Sequence, residues 1–172
     1  MLRNRAKEIP LDKIKSSEIK DIIKKLKETL AEEVKGIAVA APQINKPWRI
    51  FVISGRAFEM EKKEKGVVNV ASAKDVVFIN PELVKISKKK KWVEEGCLSV
   101  RNTYGFVNRT IKASIKAYDK NGKVFTMGGS GLLAQIFQHE IDHLNGVLFI
   151  DKAKNVQKIN PEQNDKRQPT KI

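Results

Sequence analysis

The sequence predicts an α+β fold, a compact single domain of mostly antiparallel strands packed around a central helix able to hold a metal. Three observations carry this: helical apolar spacing near each end of the chain, a β-rich middle with turn chemistry between its strands, and an H-E-x-x-H motif on the second helix. At 172 residues the chain fits one domain and is long enough to bury a substantial core.

Over residues 17–34 the apolar side chains fall at Ile19, Ile22, Ile23, Leu26, Leu30 and Val34. That is one stripe of an amphipathic helix, with lysines and glutamates on its other face. Ser16 or Ser17 supplies the N-cap, and Gly36 is expected to end the helix. Short strands follow at residues 49–54, 76–79, 83–87, 111–118 and 123–127. The last two are joined by Asp119-Lys120-Asn121-Gly122, a good hairpin turn. Residues 55–75 are polar and glycine-bearing and read as a loop with a weak hairpin. In the second helix Ser130 caps, Gly131 opens, and Leu132, Leu133, Ile136, Phe137, Ile141 and Leu144 form the stripe, with Asn145-Gly146 closing it. Residues 1–153 are assigned to the catalytic domain and 154–172 to a polar, disordered tail.

Composition sets limits. No apolar run approaches the roughly 18 residues of a membrane span. The segment MLRNRAKEIP carries basic residues with no apolar stretch behind them, unlike a secretory signal; a short organelle presequence is left open. One cysteine, Cys97, excludes an internal disulfide framework and fits a reducing compartment, most simply the cytoplasm. The formal charge is +14, yet only seven of the 34 basic residues are arginine. A solvated lysine surface accounts for most of it, and it favours a loose association with ribosomes rather than specific DNA binding.

Chemistry concentrates in three segments. His139 and His143 stand one turn apart on one helix face, so two imidazoles can grip one metal while Glu140 reaches its water as a general base. These are the only two histidines in the chain. A catalytic site wants a third protein ligand. Downstream there are Asp151 and Glu162; upstream there is Cys97, which on spacing alone is equally a small buried hydrophobe. The run GIAVAAPQ, residues 36–43, is built of small side chains ending in an amide. It is either a tightly packed strand or a place where a ligand backbone approaches and Gln43 donates to an oxyanion.

Taken in order, GIAVAAPQ, EEGCLS and QHEIDHL resemble the three signature motifs of the peptide deformylases, and nearly all of the chain before the tail fits that family. The resemblance implies one divalent metal per chain, natively Fe(II) and replaceable by Zn(II), Ni(II) or Co(II). It implies Cys97, His139 and His143 as its ligands. Glu140 matches the catalytic acid/base, and Gln43 with the Leu98 backbone N–H matches the donors facing the formyl oxygen. Gly36 and Ile37, with Leu98, border the cleft for the substrate methionine. Ala38 lies on the strand edge where substrate backbone pairs, and Glu95 supports the site from outside the ligand set. The implied reaction removes the formyl group from formyl-methionyl nascent peptides, by a monomer acting near ribosomes and not at membranes. An H-E-x-x-H endopeptidase and an inactive ribosome-binding homologue are the competing readings.

The chain departs from the family pattern at Ala38, where glycine is usual, and at Arg101, which begins an expected loop over residues 101–109. It also has a polar tail instead of a C-terminal helix.

Overall fold

The computed structural model describes residues 1–33, 35–64, 66 and 73–159. Helix α1, Ser17–Glu32, opens with Ser16 Oγ accepting from the Ile19 N–H at 3.4 Å. Its buried stripe is Ile19, Ile22, Ile23, Leu26 and Leu30. The helix stops before Gly36, with Glu33 as its C-cap, so the stop expected from glycine comes earlier; Val34 lies outside the described residues.

A five-stranded antiparallel sheet holds β1 (Ala38–Ala40), β2 (Ile50–Ile53), β3 (Val76–Ile86), β6 (Lys112–Tyr118) and β7 (Val124–Ser130), in that spatial order. A second antiparallel sheet holds β4 (Lys90–Cys97), β5 (Val100–Thr110) and β8 (Lys154–Lys158). Helix α3, Gly131–Leu144, packs on strands of both sheets and is buried from Leu133 to Leu144.

Both faces of the larger sheet are covered near β1 and β2, which is why their sequences read AVA and IFVI without polar alternation. Ala38, Ala40, Phe51 and Ile53 face the α3 core; Val39, Ile50 and Val52 face α1. In the α3 core Phe51 stacks on Phe78 at 4.6 Å between centroids, and Phe137 of α3 closes the group at 5.8 Å from Phe78.

Several expectations are corrected. Residues 55–64 form a helix, α2 (Gly55–Glu64), where a loop was expected. Ala57 is buried and Phe58 and Met60 pack on the α3 core, so three apolar side chains anchor an otherwise charged segment. The hairpin expected further along falls largely outside the described residues. The two short strands at 76–79 and 83–87 are one strand, β3, carried through Asn80-Pro81 by a register shift. The presumed loop at 101–109 is strand β5, paired along β4. Residues 154–158 are strand β8, paired to β5, so the folded unit runs past 153; residues 160–172 lie outside the described set. Ser130 occupies the cap position of α3 but makes no capping bond; its hydroxyl lies 3.5 Å from Glu61 Oε1.

The Asp119–Gly122 turn forms as expected, with Gly122 at φ +78° and Asp119 Oδ1 accepting from the Asn121 and Lys123 N–H groups.

Candidate active site

Three segments converge at the middle of α3. One helical turn separates His139 from His143, and their rings meet edge-on at 4.8 Å. β4 ends at Cys97, delivering its sulfur to the same point, 3.2 Å from His143 Nε2. The donor atoms of Cys97, His139 and His143 lie within 4.8 Å of one another, and all three residues are buried. The stretch after β1, a 3-10 turn at Ala41–Ile44, brings in Gln43.

Gln43 is held in one orientation. Its Oε1 accepts from the Ala40 N–H at 2.7 Å, which leaves the amide NH2 aimed at Ser99 Oγ (3.1 Å) and Cys97 Sγ (3.7 Å). Leu98 sits in the turn between β4 and β5, and a side chain on Gly36 would come within 3.3 Å of its Cδ1, so these two predicted residues are brought together. Ile37 and Ala38 are buried; the Ala38 methyl belongs to the α3 core and is 0% exposed. The methyl that replaces glycine there does not project into the cleft.

The electrostatics run outward in a chain. His139 Nδ1 donates to Glu95 Oε2 at 3.0 Å, which turns Nε2 toward the sulfur. Arg109 holds Glu95 with two bonds, 2.8 and 3.0 Å, and reaches Asp142 at 2.6 Å; Lys152 closes the chain on Asp142 at 2.6 Å. Burial alone raises a carboxyl pKa, but the bonds from His139 and Arg109 outweigh it and hold Glu95 at about 2. His139 is pushed the other way: burial opposes its protonation, and the Cys97 and Glu95 partners override that and raise its basicity. Burial disfavours the Cys97 thiolate, yet the neighbouring His139 imidazole and the Ser99 N–H together lower its pKa overall. Burial raises Glu140 to about 7, with nothing nearby donating to it.

Among the described residues, four buried side-chain atoms lack any partner: His139 Nε2, both Glu140 oxygens and His143 Nδ1. Orphaned polar atoms at the centre of a domain are costly unless something else satisfies them. A thiolate, two imidazoles and a carboxylate set just beyond them fit one divalent cation with its water.

Four contributors were not signalled by the motifs. Arg109 and Asp142 are buried as a pair, with Arg109 also holding Glu95. Ser99 orients Gln43. Arg56 ties the end of α1 to Gly36 by donating to the Leu30, Glu33 and Gly36 carbonyls at 2.7, 3.1 and 2.8 Å. A charged residue between the two histidines, Asp142, is the one sequence feature that could have pointed to these contributors.

A buried Cys–His–His donor set with an unpartnered carboxylate beside it, on a mixed antiparallel fold, has the parts of a metal-dependent hydrolase. The polypeptide deformylase family profile matches residues 1–159. A peptide deformylase of Thermomicrobium roseum is 36% identical over 143 residues, covering 83% of this chain and 76% of that one. The crystal structure of a peptide deformylase from Legionella pneumophila superposes with a TM-score of 0.73 at 36% identity, covering 90% of this chain and 80% of that one. A Met-Ala-Ser-bound class I type b peptide deformylase from Acinetobacter baumannii gives 0.74 at 29% identity, covering 87% and 91%. The chain belongs to the polypeptide deformylase family, hydrolases that remove the N-formyl group from nascent peptides.

Proposed function

We propose that this chain deformylates formyl-methionyl N-termini with Glu140 as acid/base, Gln43 and the Leu98 N–H as oxyanion donors, and Cys97, His139 and His143 as metal ligands. The observation that carries it is the pair of orphaned Glu140 oxygens, buried beside three convergent metal donors. A divalent cation held there supplies Lewis acidity to a water and to the formyl carbonyl. Fe(II) is the native ion in this reading, with Zn(II), Ni(II) or Co(II) able to replace it, because one thiolate and two imidazoles accept all four.

Glu140 takes the proton of the attacking water and returns it to the departing amine, leaving formate and a free methionine end. Gln43 Nε2, already fixed by the Ala40 contact, donates to the oxygen as its charge grows. Gly36, Ile37 and Ala38 contribute backbone to the cleft wall, since Ile37 and Ala38 have their side chains buried. Val93, Ile111 and Leu132 line a depression of about 240 Å³ that also includes Gln135, one turn before His139 on the same face of α3. Val93, Ile111 and Leu132 give it an apolar wall suited to an unbranched side chain such as methionine, and Lys91, Arg109, Thr110 and Gln135 make up its polar part. In support, the Acinetobacter baumannii relative carries Met-Ala-Ser.

The enzyme acts as a monomer in the cytoplasm, with transient ribosome contact. No helix of the described residues is long and apolar enough to cross a membrane, and the single cysteine is free and buried.

The test is formate release from a formyl-Met tripeptide by anaerobically loaded Fe(II) or Ni(II) protein, beside the unformylated tripeptide and Glu140→Ala. Formate from the wild type, with a fall on the order of 10²–10⁴-fold in Glu140→Ala at unchanged metal content, supports the assignment. Undiminished turnover in that variant, or internal cleavage of unformylated peptides, overturns it.

A further inference from the structure

The outward face of the three-stranded sheet carries side chains that the hydrolytic site does not use. Alternation along β4 sends Glu95 and Cys97 inward, where both are buried, and Trp92 and Glu94 outward, where both are exposed. Pairing places Phe106 opposite Glu94 and Lys154 opposite Phe106. Trp92, Phe106, Lys154 and Asn155 enclose a shallow depression of about 390 Å³. Lys154 Nζ stands 4.8 Å from the centre of the Trp92 ring, which is still 43% exposed.

Positive charge gathers around these rings. Lys88 and Lys89 lead into β4 and Lys90 begins it; all three are exposed, and alternation sets Lys90 on the face of Trp92. Glu94 is the one exposed carboxylate among the described residues of β4, β5 and β8. Flat aromatic faces flanked by lysines are what a single-stranded polynucleotide requires: bases stack on the rings and phosphates meet the ammonium groups. We infer that the outward face of β4, β5 and β8 is a docking surface for single-stranded RNA, with bases on Trp92 and Phe106 and phosphates on Lys90 and Lys154.

Charge and shape select this occupant. A second copy of the chain brings the same +14 and sets lysine against lysine. A lipid surface favours an apolar ridge that projects, whereas these two rings floor a depression. RNA supplies both a π face and a negative charge with every nucleotide. The benefit of such a surface rests on the nascent-peptide reading, because new chains emerge from an RNA-rich particle; the binding does not depend on that reading.

The experiment is fluorescence anisotropy of a labelled oligouridylate with metal-loaded, full-length protein at low and at near-physiological salt. Binding that weakens as salt rises is expected. Trp92→Ala should weaken it by about fivefold or more, Trp92→Tyr should keep most of it, and Lys154→Gln should flatten the salt dependence. All three variants should retain the wild-type melting temperature and turn over the formyl-Met tripeptide normally. RNA affinity unchanged in both Trp92→Ala and Lys154→Gln overturns the proposal, as does absent binding at low salt. Trp92-dependent binding to phosphatidylglycerol vesicles in preference to RNA overturns it too. Trp92-dependent RNA binding in a protein that releases no formate leaves this inference standing and removes only the hydrolytic one.

Discussion

Gln43 and Glu95 illustrate how single side chains are made fit for chemistry by what holds them. Gln43 cannot rotate its amide without losing the Ala40 N–H bond, so its donor faces the sulfur and Ser99 before any substrate arrives. Preorganised donors of this type are worth about 3 kcal/mol in a barrier. Gln43→Ala should therefore lower kcat/KM on a formyl-Met tripeptide by roughly 10²–10³-fold, with metal content unchanged, read by steady-state kinetics and metal analysis. A loss below about threefold would remove Gln43 from the oxyanion site. Glu95 works through His139, fixing the ring so that Nε2 points at the donor cluster. Glu95→Gln keeps the shape but weakens that hold, and a drop in metal affinity of about 10- to 100-fold is expected by competition with a chelator.

Elements matter here through their junctions. β7 passes directly into α3 at Ser130-Gly131, and Gly129 lies under the first turn. A methyl on Gly129 would stand 2.7 Å from Leu133 Cβ and 2.9 Å from Phe137 Cε2. Neither atom can move without disturbing the core beneath the histidines. Gly129→Ala should cost about 1–3 kcal/mol, visible as a lower urea midpoint, and should loosen metal binding because α3 shifts. Gly55 is constrained in the same way, since a side chain there would strike the Ala73 carbonyl, and its own N–H is taken by Asp75 Oδ1 at 3.0 Å. That close approach docks the start of α2 against the chain leading into β3.

Across the whole molecule, the fold and the metal site share one set of charges. The Lys152–Asp142–Arg109–Glu95–His139 chain links β5 and α3 with the segment after α3, and it is buried at Arg109 and Glu95. Glu95 has a folded pKa of about 2 against an ordinary 4.5. A group depressed in this way stabilises the fold fully above the ordinary value, and that contribution is lost as pH falls toward the folded value. Stability should thus decline as pH falls from about 4.5 toward 2, and Glu95→Gln should flatten that slope in urea unfolding. At neutral pH the same variant should be destabilised by less than the ~3–5 kcal/mol of a fully orphaned buried ion, since Asp142 still pairs with Arg109. Metal binding couples to the same equilibrium: saturating Ni(II) should raise the melting temperature of wild type and barely move Cys97→Ala.

Local pattern was enough for α1 and α3, because an apolar stripe at helical spacing over 14–16 residues specifies a helix wherever it packs. It was enough for the Asp119–Gly122 turn, whose chemistry is contained in four residues. Motif order pointed to the Cys97, His139 and His143 donors, since reactive side chains are constrained by the reaction more than by the fold. It could not foresee α2, where Ala57, Phe58 and Met60 become helical only against a core built by distant strands. Nor could it foresee β8, whose lysines and polar groups look unfolded until β5 offers a ladder of backbone partners. Arg109 and Asp142 lie 33 residues apart, and their bond exists only because two sheets close around one helix. Spacing along the chain encodes helices, turns and the reacting groups; burial, pairing and the shifted pKa values arise from contacts between segments far apart in sequence, and the fold alone creates those.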